Sequence, residues 1–369
     1  MKSYVVRLDK GMYPPHVNFL KEELGFQDLV KIQKKNKRLV SKKLTVLECF
    51  CFIFFLLQNI QQIRDTKTIV SIGWSSLFLK LLVKLKIIRC QQFFWLGFFI
   101  HNYRFFSILK HVMAWTAIKE EYYIINSEAD RSIYRQHLNI PNRKLILLPY
   151  GDFSSANIEN QEIEAQVGSY YFAGGFTNRD YASLIDAFRE LDQKLVIVGS
   201  HLNKDLQVTL PPNVQVLRDI PKKQFNTLVK NAKACILPLK EETGASGQMV
   251  LLNYMKQGKA IIVPHMQITN EYLEEGTSAL FYKNTKKDIP SIIRYLDQDK
   301  DKIVELGVAA NAQYNRNLGG DTIKNKLHEI VTTLPSQRTF PKLENRTNQK
   351  AKNIRYTKYK SGNYGALLS

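Results

Sequence analysis

The second half of the sequence alternates short apolar segments with amphipathic ones, and this alternation constrains the fold more than any other feature. The predicted strands are 169–173, 194–199, 214–217, 234–239, 260–263 and 279–282. The segments between several of them carry apolar residues at helical spacing. Strands that alternate with helices form a parallel sheet with helices on its faces. We therefore predict a doubly wound α/β domain.

The first half follows the same pattern less regularly. Its predicted strands are 4–8, 68–72, 93–96, 122–126 and 145–148. The polar stretch 151–168 has no clear period and separates the halves. We predict two Rossmann-like domains that face a central cleft, over residues 1–155 and 156–335, and a basic, flexible tail over 336–369. In such sheets ligands bind outside the carboxyl ends of the strands.

One loop of the second half is typical of an anion site. Residues Thr243–Gly247 carry almost no side chains and precede a helix predicted from about Gln248 to Gln257. A loop of this kind lets another molecule approach the backbone, and the first-turn amides and helix dipole favour negative charge there. The alternative is that Ser246 is only an N-cap and that the glycines only turn the chain.

Three segments of the second half occur in the order YFAGG–TNRDYASLIDAF, LVIVGS and GKAIIVP. Together they resemble GT-B glycosyltransferases, and more narrowly the bacterial enzymes that build exopolysaccharide or capsule repeat units. The resemblance covers residues 168–300 well and the whole chain in outline. It implies transfer of a sugar from a nucleotide-sugar, most often a UDP-sugar, to a lipid-linked or oligosaccharide acceptor. It implies no cofactor and no metal site. The first domain would face the acceptor, and the second would bind the donor.

The resemblance also implies the residues of the donor site. Gly174 and Gly175 would bring the backbone close to the donor diphosphate, and Arg179 would supply positive charge. The other implied donor-binding residues are Gly199, Arg218, Ile220, Glu242, Thr243, Gly244, Ser246, Gly247, Gln248 and Asn253. Asn253 stands where many members have a glutamate that holds the ribose. Phe176 stands where a basic residue is usual.

Three residues are catalytic candidates. Arg179 would stabilise the charge of the departing diphosphate. His101 follows the strand-like QQFFWLGFFI, in a region where some related enzymes place a catalytic or sugar-contacting histidine, although a lone histidine there also fits a structural role. Asp9 follows the first predicted strand and is either a cleft-facing carboxylate or a turn residue before Gly11.

Positive charge is concentrated in the first half and the tail. The formal charge of +20 divides into +14 for residues 1–150, −1 for 151–335 and +7 for 336–369. Segments 31–43 and 77–88 place lysines, among them Lys80, Lys84 and Lys86, close to apolar residues. Such surfaces bind anionic membranes without spanning them. The alternative is that the apolar residues fill a core and the lysines form a solvated face.

Several features predict a cytoplasmic protein associated peripherally with the inner face of the cell membrane. The longest apolar run, Cys49–Leu57, is far shorter than the ~20 residues of a spanning helix. Met1–Asp9 lacks the apolar core of a signal peptide. The four cysteines form no CxxC pair, which fits a reducing compartment.

A second class of function stays open at this stage. The tail NQKAKNIRYTKYKSGNYG interleaves tyrosines with basic residues, a composition that can bind single-stranded nucleic acid. The alternative is therefore a nucleic-acid-binding protein, or a non-catalytic basic adaptor, on a Rossmann scaffold. Nucleic acid is the less favoured partner, because no nucleic-acid-binding module is recognised and the glycine loops would have no role. The Asp-x-Asp segment Asp297–Asp299 lies among lysines and is typical of a solvated surface.

Overall fold

Two parallel sheets of six strands organise the protein. The computed structural model describes residues 1–9, 14–32, 46–73, 76–97, 106–151, 168–240 and 247–333. The first sheet contains β1 (Lys2–Asp9), β2 (Gln27–Ile32), β3 (Asp65–Ile72), β4 (Arg89–Leu96), β5 (Glu121–Ile125) and β6 (Leu145–Leu147). The second contains β7 (Tyr170–Gly174), β8 (Lys194–Gly199), β9 (Val214–Arg218), β10 (Ala234–Ile236), β11 (Ala260–Pro264) and β12 (Leu280–Tyr282). Every predicted strand is present, and β2 is one that the sequence did not predict.

Helices connect the strands in both halves. Those of the first half are α1 (Pro14–Glu22), α2 (Val46–Gln58), α3 (Ile60–Ile63), α4 (Ser76–Lys84), α5 (Phe106–Trp115) and α6 (Glu128–Leu138). Those that follow are α7 (Tyr181–Phe188), α8 (Lys222–Lys230), α9 (Gln248–Lys256), α10 (Gln267–Tyr272), α11 (Thr285–Gln298), α12 (Lys300–Asn317) and α13 (Gly320–Thr332). Among the described residues, no helix combines the length and apolar character needed to cross a membrane.

The strand orders place a ligand-binding position in each sheet. The first sheet has the order β2-β1-β3-β4-β5-β6, and the second has β12-β11-β10-β7-β8-β9. The direction of winding reverses between β1 and β3 and again between β7 and β10. In open parallel sheets, ligands bind outside the carboxyl ends of the strands at this reversal. The two predicted Rossmann-like sheets of a GT-B fold are therefore confirmed.

The last described helix, α13, packs on the first sheet although the elements before it belong to the second. Ile323, Leu327 and Val331 are buried in one cluster with Val5 of β1 and Phe94 of β4. The chain therefore crosses back to the first sheet after α12. This crossing adds apolar burial that joins the two halves of the chain.

The structure corrects one part of the predicted membrane surface. Lys80 is fully buried beneath the first sheet, with its ammonium 2.8 Å from Glu121 Oε2 and donating to the Tyr123 hydroxyl at 2.8 Å. Lys144 lies 2.9 Å from Glu121 Oε1. Burial lowers the pKa of Lys80, and the nearby Glu121 carboxylate opposes this shift. Lys80 thus belongs to a buried ion network, because its helix turns that side chain towards the sheet.

We expect Lys80→Met to lower the free energy of unfolding by about 1–3 kcal/mol, because it removes one of the two lysines that pair with the buried Glu121 carboxylate. Chemical denaturation measures this change. The matched control is Lys67→Met, at an exposed position of β3. Equal losses in the two variants would contradict a stabilising buried network.

Candidate functional site

The segments that follow β7 and β10 are joined at the reversal point of the second sheet. The Asp180 amide donates to the Pro238 carbonyl at 2.8 Å, and the Lys240 amide donates to the Asn178 carbonyl at 3.3 Å. Arg179 and Leu239 form an antiparallel bridge between these bonds. The backbone of Arg179 is therefore fixed where the topology predicts a ligand.

The Arg179 side chain is buried, with 5% of its surface exposed. Its Nε donates to the Gly174 carbonyl at 3.0 Å, and its Nη1 donates to the Thr177 carbonyl at 2.5 Å. The residue precedes α7 rather than opening it, because Asp180 is the N-cap and accepts from the Ser183 amide at 3.2 Å. The guanidinium is thus held in one orientation by backbone groups.

Two glycines lie directly against this guanidinium. Gly175 has a φ of +110°, and a Cβ at that position would lie 2.5 Å from Arg179 Nη2. Gly247, with a φ of +84°, precedes α9, and a Cβ there would lie 3.4 Å from Arg179 Nη1. Positive φ and close approach both favour glycine. The structure therefore brings Gly174, Gly175, Arg179 and Gly247 together.

The charge of Arg179 has no carboxylate partner within the part of the chain that the structure describes. Burial lowers its pKa, and the nearby Tyr181, Tyr254 and Tyr282 oppose the shift. An arginine stays protonated in proteins. A buried cation without a counter-charge is costly, because several kcal/mol of hydration are lost. An anion bound between the two glycine segments would supply the missing charge.

Buried side chains shape the Gly174–Gly175 turn. The Tyr181 hydroxyl donates to the Gly175 carbonyl at 2.5 Å, and the Gly175 amide donates to the Val198 carbonyl at 3.0 Å. A Cβ on Gly174 would lie 2.6 Å from the Phe225 ring. The turn has no room for a larger residue at position 174, and Gly175 is the more exposed of the two glycines.

Asn253 is half-buried on α9, six residues beyond Gly247. Its Nδ2 donates to Asn226 Oδ1 at 3.1 Å, and its Oδ1 accepts from Gln257 Nε2 at 2.9 Å. A primary amide offers two N–H donors and two acceptor lone pairs. Asn253 therefore retains one donor and one acceptor position, the number that a ribose diol needs.

Gly199, Arg218 and Ile220 lie at or just beyond the carboxyl ends of β8 and β9. The Arg218 guanidinium donates from Nη2 to the Leu206 carbonyl at 2.9 Å, and Ile220 packs partly buried on the core. Two neighbours of these residues, Asp219 and His201, were not among the predicted site residues. The carboxylate of Asp219 accepts from the His201 amide at 3.1 Å and lies 2.8 Å from His201 Nδ1. These hydrogen bonds lower the pKa of Asp219.

The side chain of Gln248 is directed to a contact with the first half. Its Nε2 lies 3.0 Å from the Tyr272 hydroxyl and 3.3 Å from the carbonyl oxygen of Asn126, which follows β5. Because the side chain of Gln248 is engaged in this contact, the predicted contact with a donor would involve its backbone amide, at the first position of α9.

The structure describes the remaining predicted site residues only in part. Asp9 ends β1, at the reversal point of the first sheet, and its backbone alone is described. His101, Glu242, Thr243, Gly244 and Ser246 lie outside the described residues, as does the tail from 334 onward. Their predicted roles remain predictions.

The two carboxylates of the Asp-x-Asp segment have structural partners. Asp297 forms an ion pair with Lys233 and accepts from the Tyr171 hydroxyl at 2.7 Å. Asp299 is the N-cap of α12 and accepts from the Lys302 amide at 2.8 Å. Asp297 is thus less solvated than the sequence predicted. The described ranges hold no cluster of side chains with metal-ligand composition.

Comparisons with known proteins agree with this fold. Residues 169–298 match the family model described as "Glycosyl transferases group 1". No curated protein sequence matches the chain. Similar solved structures include sucrose-phosphate synthase from Thermosynechococcus elongatus, with a TM-score of 0.68 and 11% identity over 89% of this chain and 98% of that one. A glycosyltransferase from Rickettsia africae has a TM-score of 0.67 and 13% identity over 91% and 99% of the two chains.

A third similar structure is Anabaena HepE in complex with UDP-glucose, with a TM-score of 0.65 and 14% identity over 89% of this chain and 99% of that one. At these identities the likeness concerns the fold, and the family match concerns the segment that holds Gly174, Arg179 and Gly247. Residues 169–298 match the group 1 glycosyltransferase family, and the chain has the fold of GT-B glycosyltransferases.

Proposed function

We propose that the protein transfers a sugar from a UDP-sugar to a lipid-linked or oligosaccharide acceptor during the synthesis of a bacterial exopolysaccharide or capsule. Residues 156–335 would bind the donor, residues 1–155 would face the acceptor, and 336–369 would be a basic, flexible tail. The protein would work in the cytoplasm, on the anionic inner face of the cell membrane. HepE, which has a similar fold, is in complex with UDP-glucose, and this supports the choice of donor.

The observation that carries the proposal is the buried Arg179 guanidinium between Gly175 and Gly247. A diphosphate seated on these glycines would pair with the guanidinium and accept hydrogen bonds from the amides that begin α9. Charge-assisted bonds of this kind are stronger than neutral ones. The predicted loop residues Thr243, Gly244 and Ser246 would complete this site.

The rest of the donor would extend along α9 and the ends of β8 and β9. Asn253 is six residues beyond Gly247, which is ~9 Å along a helix axis, a distance that fits the span from diphosphate to ribose. Its amide would bind the ribose diol through bonds weaker than those of a carboxylate. Gly199, Arg218 and Ile220 would hold the base.

In the proposed reaction, the acceptor hydroxyl oxygen bonds to the anomeric carbon of the donor sugar. The bond between that carbon and the diphosphate oxygen breaks, and the nucleoside diphosphate leaves with the electron pair. Arg179 and the α9 amides would stabilise the charge that develops on the leaving group. The proton of the acceptor hydroxyl would pass to a base, for which Asp9 and His101 are the proposed residues.

A basic and apolar surface on the first half supports the membrane part of the proposal. Leu85, Ile87, Ile108 and Trp115 are exposed on it, with 58%, 39%, 65% and 61% of their surfaces accessible. A cavity of about 320 Å³ is lined by the sequence neighbours of Leu85 and Ile87, among them Val83 and Cys90. The lysines that line this cavity are Lys84, Lys86 and Lys119. We call the four exposed residues and these three lysines the basic apolar surface.

The geometry of this surface fits an anionic interface. Lys84 donates to the Trp115 carbonyl, and its ammonium lies 6.0 Å from the Trp115 ring centroid. Lys86 and Lys119 form no ion pair with the described residues. Exposed aromatic and aliphatic side chains beside lysines can enter the headgroup region while the charges contact anionic lipid.

We expect Arg179→Met to weaken binding of UDP by about 10- to 100-fold and of uridine very little, because only the diphosphate contacts the guanidinium. Isothermal titration calorimetry with both ligands measures the difference. Turnover at saturating donor should fall by about 10²-fold. Arg189→Met, at an exposed arginine that pairs with Asp186 at the end of α7, is the matched control. An equal loss of affinity for UDP and for uridine would overturn the assignment of Arg179 to the diphosphate.

Asn253→Ala should weaken the binding of UDP and of uridine by the same factor, about 2- to 10-fold, because the ribose is common to both ligands. The same calorimetric comparison measures it. Asn315→Ala, on the exposed face of α12, removes an amide elsewhere in the same half and should leave both affinities unchanged. A loss confined to UDP would place Asn253 on the phosphates instead.

Replacing Lys86 and Lys119 together by glutamine should weaken binding to phosphatidylglycerol vesicles by about thirtyfold at low salt, since each lysine near such a surface contributes ~1 kcal/mol. Vesicle flotation at a series of lipid concentrations measures this. The control replaces Lys222 and Lys223, two exposed lysines of α8, in the same way. Equal effects of the two pairs would show that net charge, and not this surface, drives the binding.

A further inference from the structure

A buried contact ties the start of α9 to the first half of the chain. Gln248, with 5% of its surface exposed, places its Nε2 3.3 Å from the Asn126 carbonyl oxygen and 3.0 Å from the Tyr272 hydroxyl. Asn126 is itself buried, and its Nδ2 donates to the Leu148 carbonyl at 2.9 Å, which joins the ends of β5 and β6. One side chain thus links the helix of the donor site to two strand ends of the other half.

The Tyr272 hydroxyl uses its whole hydrogen-bonding capacity in this contact. It donates to the Asn126 carbonyl at 3.3 Å and accepts from the Tyr150 amide at 3.1 Å and from Gln248 at 3.0 Å. A hydroxyl has one donor and two acceptor positions. The junction is therefore saturated, and loss of the Gln248 amide leaves a buried acceptor unfilled.

The neighbouring residue Glu271 holds a second element of the first half. Its two carboxylate oxygens accept from the amides of Glu128 and Ala129 at 3.0 and 3.1 Å, in the first turn of α6. Burial, together with the nearby carboxylates of Glu128 and Asp130, raises the pKa of Glu271 to about 7, although these two hydrogen bonds oppose the shift. Two consecutive residues of α10 thus hold β5, β6 and α6.

We propose that Gln248 is a positioning residue, which sets the donor site in register with the half of the protein that faces the acceptor. The proposal rests on the proposed glycosyl transfer and refines the role that the sequence implied for this residue. Gly247, directly before Gln248, lies against the Arg179 guanidinium. A shift of the second half, together with the start of α9, relative to β5 therefore moves the whole diphosphate site away from the acceptor side. The donor is still bound in such a protein, but the acceptor hydroxyl is misplaced.

This role predicts a separation between binding and transfer. Gln248→Met keeps the length of the side chain and removes its amide. We expect its affinity for UDP to stay within twofold of the wild type, while kcat for sugar transfer from UDP-glucose falls at least tenfold. Small displacements of bound groups are enough for such losses. Gln298→Met, at an exposed glutamine that ends α11, is the matched control for the substitution.

Hydrogen exchange provides a readout that does not depend on activity. In Gln248→Met the amide of Tyr150, and those of Glu128 and Ala129 in the first turn of α6, should exchange at least tenfold faster, because the junction that protects them is broken. The amides of β8 and β11 should keep their wild-type protection, which shows that the variant is folded. Tyr272→Phe should give the same pattern, and the double variant should add little to either.

The outcomes separate this proposal from the proposed function. If the wild type fails to bind UDP, the donor assignment fails, and the exchange pattern still decides whether Gln248 joins the halves. A Gln248→Met protein with weaker UDP binding and normal exchange would overturn the proposal, because the side chain would then contact the donor. Unchanged kcat together with faster exchange would overturn it as well, since the register would have no effect on transfer.

Discussion

The candidate site depends on the burial of one positive charge. Arg179 is fixed by the carbonyls of Gly174 and Thr177, lies against the glycines at 175 and 247, and has no carboxylate partner in the described residues. Removing a charge from water is expensive without a counter-charge. The antiparallel bridge between Arg179 and Leu239 holds this cation at the point where the second sheet reverses its winding. The proposed diphosphate would account for both the charge and the glycines.

Much of the fold could be predicted from the sequence, because apolar runs of four to six residues between helical segments are a strong local pattern. The missed strand β2 carries Gln27, Asp28 and Lys31, and its Asp28 pairs with Arg7 of the neighbouring strand at 2.6 Å. Polar residues of this kind are tolerated at the edge of a sheet, so β2 lacks the apolar run from which the other strands were predicted. The packing of α13 on the first sheet could not be predicted from local sequence either, because its apolar face could pack on either half.

The sequence indicated which segments meet at the candidate site, but it did not indicate the directions of their side chains. Glycines that end a strand or precede a helix indicated the region of Gly174, Gly175 and Gly247, because the structure at these positions favours glycine. Two side chains differ from expectation and a third was not predicted, because their partners are distant in sequence. Lys80 pairs with Glu121, and Gln248 contacts Asn126 and Tyr272. Asp219, which was not predicted, accepts from the His201 amide. Periodicity gives the face of a helix, but it does not give the residue opposite.

A crystal structure of the protein with UDP tests the central claim most directly. The account predicts the diphosphate on the Gly174–Gly175 turn and the start of α9, with at least one of its oxygens within about 2.7–3.2 Å of an Arg179 guanidinium nitrogen. The ribose should then lie beside Asn253. A diphosphate bound away from Arg179, with the guanidinium still enclosed by the two glycine segments, would contradict the account and make that arginine a purely structural residue.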